Sequence, residues 1–355
     1  MSATDYIIVG GGIIGMMTAR ELAIQGAKVA LFDRAELGKE ASWAAGGILS
    51  PMRPWAEHPD SAELSERGKQ LYPEYIESLK QETGIDSEYI RSGLIIIDAE
   101  HAAKTKKWVS NNKVKLEEVT QNQFSNINIP EHAILLPEIT QLNPSCLLKA
   151  LHESLKQLNV SIYEHTEITN IIAKNNQFDY IEFNNRKEHA EAVIITAGAW
   201  SQLVLGDISE AVNIKPIRGQ IIYVKPEKQI TDKIILDAGH YFMSRQNGHV
   251  LIGSTMEDVG FVNETTKIAR QELLAWACSI SSEFSRAQFV RHWSGLRPLS
   301  DVGKPFIGPF SKVKNLYLNT GHFRKGILQA PASAKLLADY LSGKSMFMDI
   351  EKLSI

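Results

Sequence analysis

The chain has 355 residues, 44% hydrophobic and 22% charged, with a net charge of −3. That length accommodates two domains, and the composition is ordinary for a globular protein. Both signs of charge are spread along the chain without a basic block, which argues against nucleic-acid or membrane-surface binding. The two cysteines, Cys146 and Cys278, belong to no CxxC or Cys/His cluster, so neither a disulfide framework nor a metal site is expected. Both sit in apolar helical patterns and read as core residues.

The apolar stretch from Ile7 to Ile24 contains four glycines, Arg20 and Glu21, so it reads as strand, turn and helix and not as an integral membrane segment. The first strand begins at Tyr6, which leaves no room for a signal peptide; a cytoplasmic enzyme is expected. Tyr6 to Val9 form that strand, and Gly10, Gly12 and Gly15 follow in Gly-x-Gly-x-x-Gly spacing before a helix. Gly12 allows a pyrophosphate to approach the backbone, Gly15 allows the helix to pack closely on the strand, and the helix N-terminus favours an anion. A second strand, Ala27 to Phe32, ends at Asp33, eighteen residues past Gly15 and placed to accept from an adenosine ribose. An acid there repels a 2′-phosphate, so NADP is disfavoured.

The loop from Leu37 to Pro51 is rich in small residues, which lets backbone lie against a ligand, and Ser42 offers a hydroxyl within it. Helical periodicity runs from Ser61 to Thr83 and stops at Gly84. Residues 89 to 98 read as strands, and 100 to 142 as polar and irregular. Asn143-Pro144 caps a helix through Leu158, and strands follow around Val160 and from Ala192 to Thr196, the latter ending at Gly198. Gly198 reads either as a loop against a cofactor or as an ordinary strand terminator. From Pro216 to Met256 the texture is β, with Asn247-Gly248 marking a hairpin. A two-residue turn there sets Gln246 opposite His249 and Tyr241 opposite Ser254. One face then carries Tyr241, Met243, Ile252, Ser254 and Met256. A helix from Thr266 to Phe284, a strand from Asn315 to Asn319, a turn at Gly321 to Gly326 and a last helix to Gly343 complete the chain.

The opening fingerprint, ASWAAGGILSP at Ala41 to Pro51, GLRP at Gly295 to Pro298 and GHFRKGILQAP at Gly321 to Pro331 resemble the D-amino-acid-oxidase-like flavoenzymes, over nearly the whole chain. The resemblance implies an α/β, overall α+β fold: a discontinuous Rossmann-like FAD-binding domain (1–84, 143–212, 292–355) with an inserted antiparallel β-sheet substrate domain (85–142, 213–291). It implies non-covalent FAD, since neither cysteine falls in an attachment motif. Gly10, Gly12, Ile13, Ile14 and Gly15 would hold the phosphates, and Asp33 with Arg34 the adenosine side. Ala41, Ser42, Gly46, Gly47 and Ile48 would wrap the pyrophosphate and reach the flavin. Ile168 would touch adenine, and Gly198 would lie against the cofactor. His322, Phe323, Arg324, Lys325, Gly326, Ile327 and Leu328 would aim backbone amides at the flavin edge.

On the substrate side the resemblance implies Arg297 and Tyr241 on a carboxylate, the Arg324 carbonyl on an amine, and Ile48 and Met256 as pocket walls. The implied reaction moves a hydride from Cα of glycine, sarcosine or a small D-amino acid to flavin N5, with oxygen as acceptor. It also implies a homotetramer and a place in thiamine (thiazole) biosynthesis. An arginine fork suits a planar carboxylate, a phenol locks its rotation, and the flavin carries the redox step. A D-amino-acid dehydrogenase with a quinone-type acceptor is the alternative. The net charge argues against a tRNA-modifying oxidase, and an idle flavin module has no need of a carboxylate clamp.

Overall fold

The computed structural model describes residues 4–355. Two large sheets organise the chain. In the first, Thr4–Val9 lies between Val29–Phe32 and Arg186–Ile195, parallel to both. Ser161–Tyr163 extends one side in parallel; Leu316–Thr320 (parallel) and Phe306–Pro309 (antiparallel) extend the other. Arg186–Ile195 also pairs with an antiparallel ribbon, Gln177–Phe183 and Asn170–Lys174. The central strands are apolar on both faces, as a doubly covered parallel sheet requires. One face packs on four helices: α1 (Ile13–Ile24), α2 (Pro59–Thr83), α4 (Pro144–Gln157) and α7 (Gly326–Leu341). The ribbon and residues such as Val212 and Phe310 cover the other.

Local signals set the helix ends. Asn143 accepts from the Ser145 N–H at 3.2 Å to start α4, and Gly84 ends α2 in the left-handed region at φ 73°. A further helix, α3 (Ala99–Asn112), occupies part of the segment expected to be irregular. Asp98 caps it, and only His101, Ala102 and Thr105 are buried, so it carries almost no apolar stripe to mark it. The remaining helices are α5 (Ser201–Leu205) and α6 (Lys267–Ile280), the latter capped by Thr266.

The second sheet runs Gln288–Ser300, Ile214–Lys225, Val250–Gly253, His240–Ser244, Ile234–Asp237, Leu94–Ile96, Ile134–Leu136 and Glu117–Glu118. It is antiparallel except where Ile234–Asp237 runs parallel to Leu94–Ile96. Gln288–Ser300 pairs with Ile214–Lys225 from end to end, so this sheet continues past residue 292, the expected return to the nucleotide domain.

The hairpin at Asn247-Gly248 differs from its expected register. Tyr241 faces Gly253 and Ser244 faces Val250, and the Arg245 N–H donates to His249 O at 2.8 Å. The turn holds three residues, Gln246 to Gly248, with Gly248 at φ 79°; the third position of such a loop adopts the left-handed region. The extra residue moves Ile252 opposite Phe242, onto the far core, and leaves Tyr241 and Met243 beside Leu251 and Ile221. Cys146 and Cys278 are free and only half-buried, Cys278 packing against the edge of a core cluster, so neither is a core residue.

Candidate active site

The C-terminal ends of the parallel strands converge where strand order reverses around Thr4–Val9, the place at which open α/β sheets bind ligands. A cavity of about 630 Å³ begins there and runs to the second sheet. Its walls include Gly10, Asp33, Ala197 and Thr320, each just past or at the end of a strand, and Tyr241, Ser254 and Arg297 from the second sheet. Glycine-loop and arginine therefore share one cavity of ordinary ligand-binding size.

At the strand-end region, Asp33 accepts from the Gly11 N–H at 2.6 Å and the Ala35 N–H at 2.8 Å. Burial nevertheless holds its carboxyl above the usual range. A Cβ on Gly15 would meet Gly10 O at 1.9 Å, so only glycine permits this helix–strand approach. Ser42 Oγ accepts from the Ile13 N–H at 3.0 Å, and α1 has no acid in its first turn, which leaves its positive end available to an anion. Arg34 lies 4.0 Å over the Trp200 ring, and both line the cavity with Ile168 and Gly198.

At the other end, Arg297 donates to Ser254 Oγ at 2.9 Å and to Thr255 O at 3.1 Å. Among the described residues no carboxylate pairs with it. Burial lowers its pKa to about 10, so it stays charged at neutral pH. Gly219 makes room for it: a Cβ there would fall 1.9 Å from Arg297 Nη2. Tyr241 is 6% exposed, and burial raises its pKa against the opposing charge of Arg297, so the phenol keeps its proton. A Cβ on Gly46 would meet the Tyr241 hydroxyl at 2.6 Å, which brings the small-residue loop against the phenol.

Of the residues expected at the cofactor, Gly10, Gly12, Ile13, Ile14, Asp33, Arg34, Ala41, Ser42, Gly46, Gly47, Ile48, Ile168, Gly198, His322, Phe323, Arg324, Gly326 and Ile327 line the cavity. Three do not. Gly15 sits at the helix–strand contact, and Leu328 is core. Lys325 ties its turn to the start of α2 through Glu57 at 3.0 Å and Ser61 at 2.5 Å. Met256, expected as a pocket wall, is 64% exposed and outside the lining. The paired strand ends at Gly253, and the chain then crosses to pair Glu257 with Arg218, which takes Met256 away from Tyr241. Ile221 and Met52 line the cavity instead.

Sequence reasoning missed Gly219 and Arg245, and it set Ser254 beside Tyr241 without its contact to Arg297. A glycine inside a strand pattern signals close approach, and Gly219 carried that signal. Arg245 did not: it stands in a hairpin tip, yet it is buried and donates to Gly46 O at 2.6 Å and Leu142 O at 2.8 Å.

The residues fit an FAD. A glycine-lined, anion-favouring end and a strand-end acid lie at one side of an elongated cavity, and the buried His322 presents an Nε2 without a protein partner along it. Burial pushes the His322 pKa down to about 3, with Lys325 adding to the effect. The unfolded chain takes up this proton below the ordinary histidine value and the folded chain does not, so stability is full above about pH 6.5 and falls progressively as pH drops toward 3. By pH 5 the loss is about 2 kcal/mol. Melting curves at pH 7 and 5 check this, and His322→Gln is expected to show a smaller drop than the parent.

Comparison with known proteins agrees with this geometry. The family described as FAD dependent oxidoreductase matches residues 5–340. Glycine oxidase of Pseudomonas aeruginosa is 35% identical, over 97% of this chain and 96% of its own length. Glycine oxidase of Pseudomonas putida is 34% identical with the same coverage. The crystal structure of glycine oxidase from Bacillus cereus superimposes with a TM-score of 0.91 at 28% identity, covering 99% of both chains. With a family match across most of its length and relatives above 30% identity along almost all of it, this chain belongs to the FAD-dependent oxidoreductases.

Proposed function

We propose that the protein oxidatively deaminates glycine, and also sarcosine and small D-amino acids, using non-covalent FAD and oxygen. Glycine, water and O2 give glyoxylate, ammonia and hydrogen peroxide. The observation that carries this reading is the charged Arg297 guanidinium, lacking a carboxylate partner among the described residues, beside the protonated Tyr241 phenol in the glycine-lined cavity. Such a pair asks for a small anionic guest.

Bound FAD supplies the two-electron acceptor for the hydride that leaves Cα. Arg297 binds the substrate carboxylate and Tyr241 donates its O–H to the same group. The Arg324 carbonyl, in the turn after the strand Leu316–Thr320, accepts from the amine and orients it. Together these contacts restrict the guest to a near-attack position, which accounts for about 7–11 kcal/mol of barrier at most. Ile48 and Tyr241 narrow the space, favouring substrates without a large side chain. An amine bound neutral needs no side-chain base.

The Pseudomonas relatives are named oxidases, which supports oxygen over a quinone-type acceptor. Relatives from Trichormus variabilis and Nostoc are named bifunctional ThiO/ThiG, which supports a place in thiamine biosynthesis. Among the described residues no helix is long and apolar enough to cross a membrane. A cytoplasmic homotetramer belongs to the same proposal, and light scattering should give four times the chain mass.

Anaerobic glycine should bleach the flavin spectrum of the purified protein, and air should then yield peroxide; a yellow protein that none of glycine, sarcosine and D-alanine bleaches would refute the reading. Arg297→Ala should lose about 2–5 kcal/mol in kcat/KM, chiefly through KM, while FAD stays bound. Gly219→Ala, which pushes the guanidinium aside without removing it, should raise KM in the same direction by a smaller factor.

A further inference from the structure

Arg297 is seated on three acceptors. Its Nη2 donates to Ser254 Oγ at 2.9 Å, and its Nη1 donates to Thr255 O at 3.1 Å and to Arg218 O at 3.4 Å. A guanidinium has five N–H donors, so two are left, the number that a bidentate carboxylate takes.

The seat is itself held from behind. Arg218 and Glu257 exchange backbone hydrogen bonds of 2.9 and 3.0 Å, and Arg218 Nη2 donates to Glu257 Oε2 at 2.5 Å. Glu257 Oε1 accepts from Gln220 Nε2 at 2.8 Å and from Thr255 Oγ1 at 2.5 Å. Thr255 Oγ1 in turn accepts from the Gln220 N–H at 2.9 Å. One carboxylate thus fixes Arg218 and Thr255, the two residues whose carbonyls hold Arg297. Neither Glu257, Arg218 nor Thr255 lines the cavity.

We propose that Glu257 is a positioning residue: through Arg218 and Thr255 it fixes the rotation of Arg297, and so sets the affinity for the substrate carboxylate without touching it. This rests on the amino-acid-oxidase reading above. Charge and geometry make opposite demands here, which makes the idea testable. Neutralising Glu257 leaves the region more positive, so simple attraction would tighten carboxylate binding. Loss of the seat would weaken it.

The experiment compares FAD-loaded parent and Glu257→Gln by glycine kinetics and by titrating acetate against the flavin visible spectrum. The expected result is a rise of about tenfold in glycine KM and acetate Kd, with kcat changed by less than about twofold. FAD affinity should stay at the parent value. An unchanged or lowered KM and acetate Kd would overturn the proposal. Should Glu257→Gln fail to fold, Thr255→Val keeps the carbonyl and removes the Oγ1 link, and should shift both constants by about threefold in the same direction. No shift there would overturn it equally. If glycine fails to bleach the parent, the proposed reaction falls, while the acetate titration still decides the role of Glu257.

Discussion

A guanidinium taken largely out of water, with no counter-ion among the described residues, is the constraint around which this site is arranged. Lowering the Arg297 pKa to about 10 corresponds to roughly 3 kcal/mol of disfavoured charge, a cost that an anionic guest can offset. Two other buried cations in the molecule are treated differently. Arg20 pairs with Glu82, and Arg218 with Glu257. Among the described residues, Arg245 and Arg297 donate only to neutral oxygens. Their charges, with that of Arg324, act on the buried Tyr241 phenol against the desolvation that raises its pKa. A wall with cationic charge and a proton-bearing phenol is complementary to a carboxylate and hostile to a cation, before any reaction is considered.

The two sheets supply different parts of this site for different physical reasons. The parallel sheet ends its strands at one edge, so its loops and the positive end of α1 gather where a phosphate gains most. The second sheet contributes side chains from strand interiors, where cross-strand pairing fixes their directions. Arg297 stands opposite Ile217 in a long antiparallel pair, flanked by Gly219 opposite Gly295. Both glycines are places where a methyl group would collide: with Arg297 at Gly219, and with Ala44 at Gly295. Here the absence of side chains allows the sheet, the arginine and the small-residue loop to occupy adjoining space.

The outline was legible in the sequence because it depends on short-range rules. The strand-turn-helix at Gly10 to Gly15, the cap at Asn143 and the stop at Gly84 each rest on a few neighbouring residues. What failed depends on counting across space. Asn247-Gly248 located the hairpin but not the length of its turn, and one added residue moved Ile252 to the far core; Met256 lies beyond the paired strand, toward solvent. α3 escaped because its exposed polar surface shows almost no apolar stripe. Ser254, already expected beside Tyr241, meets Arg297 more than forty residues away in sequence, and Arg245 meets Gly46 almost two hundred away. No local pattern encodes such pairs.

Those long-range contacts also tie the small-residue loop to the sheet that carries Arg297 and Tyr241. The loop from Ala41 to Ile48 is too poor in large side chains to pack itself rigidly. It is held by others: Trp293 Nε1 donates to Ala44 O at 3.2 Å, Arg245 donates to Gly46 O, and the Leu142 N–H donates to Gly47 O at 3.0 Å. Trp293 and Arg245 belong to or adjoin strands of the sheet that carries Arg297 and Tyr241. The loop is therefore held both by the second sheet and, through the Ile13 N–H on Ser42 Oγ at 3.0 Å, by the start of α1. Loop and Arg297 thus share attachment to the second sheet, while the loop keeps its contact with the positive end of α1. A reaction that depends on holding one carbon about 3–3.5 Å from an acceptor atom needs both ends of its site fixed, and a loop tied to α1 and to the second sheet meets that need.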